Sequence, residues 1–199
     1  MQLNLNFIDD IPHILSDESK KPHELNYLPD DCVIVDVETT GLNPLIDSVI
    51  EISAIKVKDN KAVSEFSSLI NPKKLIPPFI SNLTGITNEM VLNAPDRRKV
   101  LIEFCSFIGA NPIAGHNIKF DLSFLNAELK REFQKSLCSN YADTLLFARK
   151  VYNLKSHKLT NIANFLNIDT NNAHRALKDC RMTYLAFKDM KQRLNNKQK

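Results

Sequence analysis

Asp36 and Glu38 stand two positions apart in VIVDVETTGL, residues 33–42, at the end of an apolar run. A strand has a side-chain period of two, so both carboxylates leave the same face, close enough to share a divalent cation. Two acids alone outline a metal site and no more. Later segments add to it: HNIKFD ends at Asp121, and AHRALKD carries His174 and Asp179. Together these residue types read as the active site of a nuclease.

The elements that must position them follow from local pattern. CVIVDVE reads as a buried first strand, followed by VIEISAIKV at 49–57 and a third strand from Ala62 to Ile70. Asp59, Asn60 and Lys61 supply turn chemistry between the last two, which predicts an antiparallel hairpin. After Asn71 and Pro72 the pattern becomes helical, with Pro77, Pro78 and Gly85 punctuating short helices. Val100, Leu101, Phe104, Phe107 and Ile108 recur at helical spacing and form a core face over about 96–108. PIAGH at 112–116 is a short buried strand. Helices are expected from about Phe120, over about 143–150 and 159–167, and from Arg175 to Leu194. Strands first, then helices interrupted by a strand, imply an α/β layered domain with a mixed central β-sheet flanked by helices.

The length of 199 residues and 43% hydrophobic content fit one domain with a sizeable core. A net charge of +3 permits a polyanionic partner without itself arguing for one. Cys32, Cys105, Cys138 and Cys180 lie far apart, and three fall in apolar segments where reduced thiols are expected, in keeping with a cytoplasmic location. No signal-peptide pattern and no apolar run of roughly 18–20 residues is present, so no membrane is expected as a partner. Residues 1–29 hold five acids against two lysines, with Pro12, Pro22 and Pro29 and no sustained periodicity. They read as an N-terminal arm or linker, partly disordered, leading to a domain over 30–199.

The order DVETTGL, LTGIT at 83–87, HNIKFDLSFL at 116–125, ADTLLFAR at 142–149 and HRALKD at 174–179 resembles the DEDD exonuclease superfamily over roughly residues 31–190. It is most similar to the DnaQ-like exonucleases, the group that includes the proofreading subunits and domains of bacterial DNA polymerase III. The resemblance implies a ribonuclease H-like fold and 3′-to-5′ removal of nucleotides. The tyrosine subclass carries a tyrosine four residues before the last aspartate, where this chain has Arg175, so the histidine subclass is indicated. Cys180 departs from the small alanine common after that aspartate, which predicts a modest packing change.

The residues support this chemistry on their own terms. A phosphodiester is anionic with a poor leaving group, so hydrolysis needs hydroxide and neutralisation of charge on the departing oxygen. Two divalent ions about 3.5–4 Å apart supply both. Hard oxygen ligands suit Mg²⁺ or Mn²⁺, and the chain offers no Cys/His cluster of zinc type. By motif matching, Asp36, Glu38 and Asp179 are expected as direct ligands, with Asp121 bound directly or through water. On one regular helix, His174 and Asp179 would point about 140° apart. The cap-rich run from Asp169 to Asn172 instead puts the histidine at the loop-to-helix junction. There it can serve as general base toward the attacking water, since an imidazole titrates near neutrality.

By the same resemblance, Thr39, Thr40, Gly41 and Leu42 hold the 3′-terminal nucleotide: hydroxyls and amides toward the sugar, glycine for close approach, leucine against a base. Asn117 either approaches substrate or holds the strand-to-helix turn. Asp143 is expected to cap the helix that follows it, and His116 and His157 are read as structural or surface groups. Lys73, Lys74, Arg97, Arg98, Lys130 and Arg131 are the cations available for phosphates. The segment Gln2 to Phe7 resembles short bacterial sliding-clamp-binding peptides.

The expected function is metal-dependent 3′-to-5′ hydrolysis of a nucleic acid 3′ end. Single-stranded or frayed DNA is the expected substrate, with a DNA polymerase as partner. The same chemistry serves a stand-alone enzyme that trims RNA or oligonucleotides, and nothing in these residues decides the sugar. A binding module without catalysis is the third reading, and the complete set of four acids and His174 argues against it.

Overall fold

The computed structural model describes residues 15, 16 and 21–196. In chain order its elements are β1 (Leu15–Ser16), β2 (Cys32–Thr39), β3 (Val49–Lys58), β4 (Lys61–Leu69), α1 (Pro78–Thr84), α2 (Asn88–Leu92), α3 (Arg97–Ile108), β5 (Ile113–Gly115), α4 (Ile118–Phe133), β6 (Ser136–Leu137), β7 (Tyr141–Asp143), α5 (Thr144–Val151), α6 (Leu159–Phe165) and α7 (Ala176–Asn196). Five strands make the main sheet in the order β4-β3-β2-β5-β7. β4, β3 and β2 run antiparallel, whereas β2, β5 and β7 run parallel. The sheet is therefore mixed, as the order of elements in the chain implies.

β2 and β3 are buried at successive positions because helices cover both faces of the sheet. Val33, Val35 and Val37 face α3 and α4, where Val100, Phe104, Leu125 and Leu129 close the first core. Cys32 and Ile34 face the other way, toward Ala148, Ile162, Phe187 and Met190 of α5, α6 and α7. Asp36 and Glu38 share parity with Ile34, so they emerge from the α7 side of β2. The β3–β4 hairpin turns through Asp59 and Asn60 at φ 49° and 62°, the left-handed pair that a two-residue type I′ turn needs. A third cluster of Ile50, Ile76, Ile80, Ile86 and Val91 seats α1 and α2. Among the described residues no helix is long and apolar enough to cross a membrane.

The sequence pattern does not announce β7 or the chain that covers it. Tyr141 N–H donates to the His23 carbonyl at 3.1 Å, and Leu25 N–H donates to the Tyr141 carbonyl at 2.7 Å. Leu25 and Leu28 are buried in the second core. Part of the segment expected as an arm is thus packed on the domain, which begins before Asp30. The physical reason is that β7 would otherwise present an unpaired sheet edge, and a short stretch of backbone with two leucines satisfies it. β1 pairs in the same spirit with β6. The Gln2–Phe7 segment lies outside the described residues.

β5 is only three residues long and stops where the site begins. A Cβ on Gly115 would sit 2.4 Å from Ile118 Cδ1 and 2.9 Å from the Val35 carbonyl oxygen, so only glycine lets β5 lie this close to β2 and α4. Gly115→Ala is expected to lower unfolding free energy by about 1–3 kcal/mol through overpacking. Urea denaturation checks this; an unchanged midpoint would show that strand and helix separate freely here.

Candidate active site

Asp36, Glu38, Asp121, His174 and Asp179 all line one cleft of about 970 Å³, together with Leu42, His116, Asn117 and Phe120. The chain therefore brings every expected metal or catalytic residue to one place, from β2, α4 and the start of α7. A register shift after Glu38 bulges the β2–β3 pair and ends regular pairing beside the carboxylates. One ligating atom each from Glu38, His174 and Asp179 lie within 4.8 Å of one another. That is a separation a single cation can bridge.

Asp121 is held by the sheet itself. β5 ends at Gly115, so the Val37 N–H has no strand to pair with, and Asp121 Oδ1 accepts it at 3.0 Å. The carboxylate is 4% exposed and arrives from the first turn of α4. Asn117 turns the chain into that helix at φ 63° and ψ 41°, a left-handed conformation that asparagine tolerates better than most residues. Its N–H donates to Asp143 Oδ1 at 2.9 Å, while its exposed side chain makes no cap bond. Asp143 also accepts from Leu145 N–H at 2.9 Å, capping α5 as the sequence implies.

His174 lies just before α7 with φ 66°, so it stands off the helix that carries Asp179. This is the loop-to-helix junction that lets the two side chains converge. The His174 N–H donates to Asp179 Oδ1 at 3.3 Å. What the sequence reading missed is the clamp behind them. Glu51 of β3, opposite Glu38 in register, accepts from Arg175 Nε at 3.2 Å, Arg175 Nη2 at 2.8 Å and the Ala176 N–H at 2.9 Å. A carboxylate from the sheet thereby caps the first turn of α7. Its one sequence signal was an acid inside the otherwise apolar VIEISAI run, where a charge has to have a partner.

The hydroxyls expected to bond a sugar are engaged inside their own loop. Thr39 Oγ1 donates to the Gly41 carbonyl at 2.6 Å, and Thr40 Oγ1 accepts from Ser48 N–H at 3.0 Å and contacts Asp47 Oδ1 at 3.3 Å. A Cβ on Gly41 would overlap the Asp47 carboxylate, which would have to shift to admit one. Leu42 alone of the four projects into the cleft, 82% exposed. None of the six cations expected to meet phosphates lines the cleft. Arg97 pairs with Glu128 and Glu132, and Arg98 donates to the Glu132 carbonyl. Arg131 pairs with Glu128 and reaches the Leu45 and Asp47 carbonyls, while Lys74 donates to the Ile46 carbonyl. Lys74 and Arg131 thus hold the loop over 43–47, and Arg97 and Arg98 the α3–α4 contact. The cleft's own cations are Arg149, Lys155 and Lys158.

The acids press on one another. Burial, then the charges of Asp121, Asp179, Glu38 and Glu51, hold the Asp36 carboxyl well above the usual range. Burial first and neighbouring carboxylates second push Glu38 up to about 8. Burial pushes Asp121 up to about 8 against the lowering effect of the Val37 N–H, and Asp179 up to about 6 against His174. The donor set, four hard oxygens that repel each other, fits a divalent cation. A carboxyl whose folded pKa lies above its unfolded value of about 4 adds stability below that value and loses it as pH rises through the folded pKa. Protein in EDTA is therefore expected to lose thermal stability between about pH 4 and pH 8, and saturating Mn²⁺ to restore it at the upper end. Scanning fluorimetry across that range, with and without Mn²⁺, reads both; a midpoint that rises with pH in EDTA would contradict the crowding.

Comparison with known proteins agrees with this geometry. The family model RNase_T, described as Exonuclease, matches residues 33–187. A DNA polymerase III subunit epsilon of Aquifex aeolicus is 37% identical over 163 residues, covering 81% of this chain and 81% of that one. A PolC-type DNA polymerase III of Latilactobacillus sakei is 39% identical over 166 residues, covering 82% of this chain but 12% of that much longer one. The crystal structure of Escherichia coli exonuclease I in complex with a dA16 oligonucleotide superposes with a TM-score of 0.73 at 20% identity, covering 84% of this chain and 42% of the other. That likeness is one of fold. With the family match running from β2 into α7, across Asp36, Glu38, Asp121, His174 and Asp179, the chain belongs to the exonuclease family, beside the epsilon and PolC-type components of DNA polymerase III.

Proposed function

We propose that this chain hydrolyses the terminal phosphodiester at the 3′ end of single-stranded or frayed DNA, with two Mg²⁺ or Mn²⁺ ions, as a proofreading or replication-associated exonuclease in the bacterial cytoplasm. The observation that carries the reading is the convergence of Asp36, Glu38, Asp121, Asp179 and His174 in one cleft. Asp36, Glu38 and Asp179 would hold the ions, with Asp121 offering its second oxygen. Divalent ions bound there supply a deprotonated nucleophile at neutral pH and offset the charge on the leaving oxygen. His174, exposed and off the helix, accepts the proton of the attacking water. Leu42 and the half-buried Phe120 offer apolar surface to the terminal base, and the Asn117 amide reaches the sugar or phosphate.

Hydrolysis of 3′-labelled single-stranded DNA, mismatched duplex DNA and RNA in Mg²⁺, Mn²⁺ and EDTA tests this directly. Cleavage from the 3′ end, lost in EDTA and in a folded Asp179→Ala variant, is expected. His174→Ala is expected to lower the rate about 10²- to 10⁴-fold with little change in binding. Undiminished cleavage in EDTA would remove the two-metal reading, and a preference for RNA would move the enzyme to RNA trimming.

The reading extends to a polymerase partner and to a sliding clamp engaged by Gln2–Phe7. Removing residues 1–8 is expected to leave turnover of a short oligonucleotide unchanged. A peptide of residues 1–10 is expected to bind the clamp of the same organism at about micromolar Kd. Surface plasmon resonance reads that association, and its absence at high micromolar clamp would end the clamp proposal alone.

A further inference from the structure

Several cations among the described residues are held in ion pairs. Arg97, Arg131, Arg175, Arg181 and Lys191 each pair with a carboxylate. Arg149 near the end of α5, Lys155 in the α5–α6 connection and Lys158 at the start of α6 differ. All three side chains are exposed, all line the same cleft as the acid cluster, and none forms a side-chain hydrogen bond or ion pair among the described residues. Three unpaired positive charges beside four crowded carboxylates, with no pairing between the two sets, call for a third, anionic participant.

The connection that carries Lys155 and Lys158 is braced from below. His116 Nε2 lies 2.8 Å from the His157 carbonyl, an acceptor only, so this nitrogen carries the proton. Burial holds His116 below the usual histidine range, which keeps the ring neutral. Its Nδ1 lies 3.1 Å from Thr144 Oγ1, whose hydroxyl is also 3.1 Å from the Gly115 carbonyl. His157 Nε2 in turn lies 3.1 Å from the Tyr152 carbonyl, and the Tyr152 hydroxyl donates to Asp189 Oδ2 of α7 at 2.7 Å. Tyr152 is buried, so the connection is tied to β5 and to α7, the two elements that set Asn117 and Asp179. The basic lip therefore has a fixed position relative to the candidate metal site.

We propose that Arg149, Lys155 and Lys158 form a phosphate track that binds the single-stranded backbone 5′ of the scissile bond. The proposal rests on the hydrolytic reading of the acid cluster and names how the substrate's remaining charge is met. Substrate binding would then depend on the number of backbone charges, without regard to base. Ser156 and Thr160, which line the same stretch of cleft, add hydroxyl donors to it.

The test is fluorescence anisotropy with a 5′-labelled twelve-nucleotide oligo-dT in Ca²⁺, using wild-type protein and the combined Arg149→Gln, Lys155→Gln, Lys158→Gln variant. Glutamine keeps much of each side chain's length and removes its charge, and thermal melting confirms that the variant folds. Wild-type binding is expected to weaken with salt, and the variant's log Kd against log salt slope to be lower by about 2, near 0.7 per lost phosphate contact on a single strand. Affinity at low salt is expected to fall about tenfold or more. Neutral methylphosphonate linkages upstream of the last phosphodiester are expected to weaken wild-type binding and to cost the variant much less. Equal Kd and equal salt slope for the two proteins would overturn the track, as would equal methylphosphonate losses. Hydrolysis of thymidine 5′-monophosphate p-nitrophenyl ester by wild-type protein in Mn²⁺ is read separately. Its absence would count against the hydrolytic site, while the binding titration still decides the track.

Discussion

Like charges confined at the end of one strand set the terms for the rest of this molecule. Glu38 and Asp179 offer oxygens within 4.8 Å of each other, and two full charges at that distance repel by about 3 kcal/mol at an effective dielectric of 20. Flexible supports would let such groups swing apart. Here they are attached to β2, buried on both faces, and to α7, which packs along β2 and β3. The two cores supply the favourable energy, and the site holds an arrangement that opposes folding until a cation offsets it.

Glu51 shows how the fold manages a further negative charge beside that cluster. It raises the cost of ionising Asp36, Glu38 and Asp179, yet its three donors come from the start of α7, the element that must be held. The first N–H of α7, at Ala176, donates to the sheet carboxylate, so the repelling group and the helix that it anchors form one unit. Arg175, which marks the histidine subclass by standing where another subclass has tyrosine, also has a mechanical part in this architecture.

That Asp36, Glu38 and His174 meet in one cleft was legible because period-two placement of the two acids, turn chemistry before His174 and the apolar runs of β2 and β3 are all local signals. β2 to β5, the long helices and the mixed sheet followed from the same patterns. What the sequence did not carry depends on contacts across the fold. Leu25 and Leu28 are too few for a periodic signal, and only the open edge of β7 explains why they are buried. Arg97 looks like a surface cation until α4 brings Glu128, at zero exposure, against it. The engagement of Thr40 was hidden because its partners Asp47 and Ser48 lie across a loop whose shape no short window defines.

Asp121 carries two obligations at once, and this bears on how such a protein can change over generations. Its side chain completes the hydrogen bonding of β2 where β5 has run out, and it lines the acidic cleft. A change to asparagine keeps an acceptor for the Val37 N–H, so the chemistry can fade while the sheet remains whole. A change to an apolar residue strands a buried N–H, at a cost of about 1–3 kcal/mol. The easy descent from enzyme to inactive binding domain therefore passes through asparagine at this position. A lineage that took an apolar residue there would have to rebuild the end of its central strand.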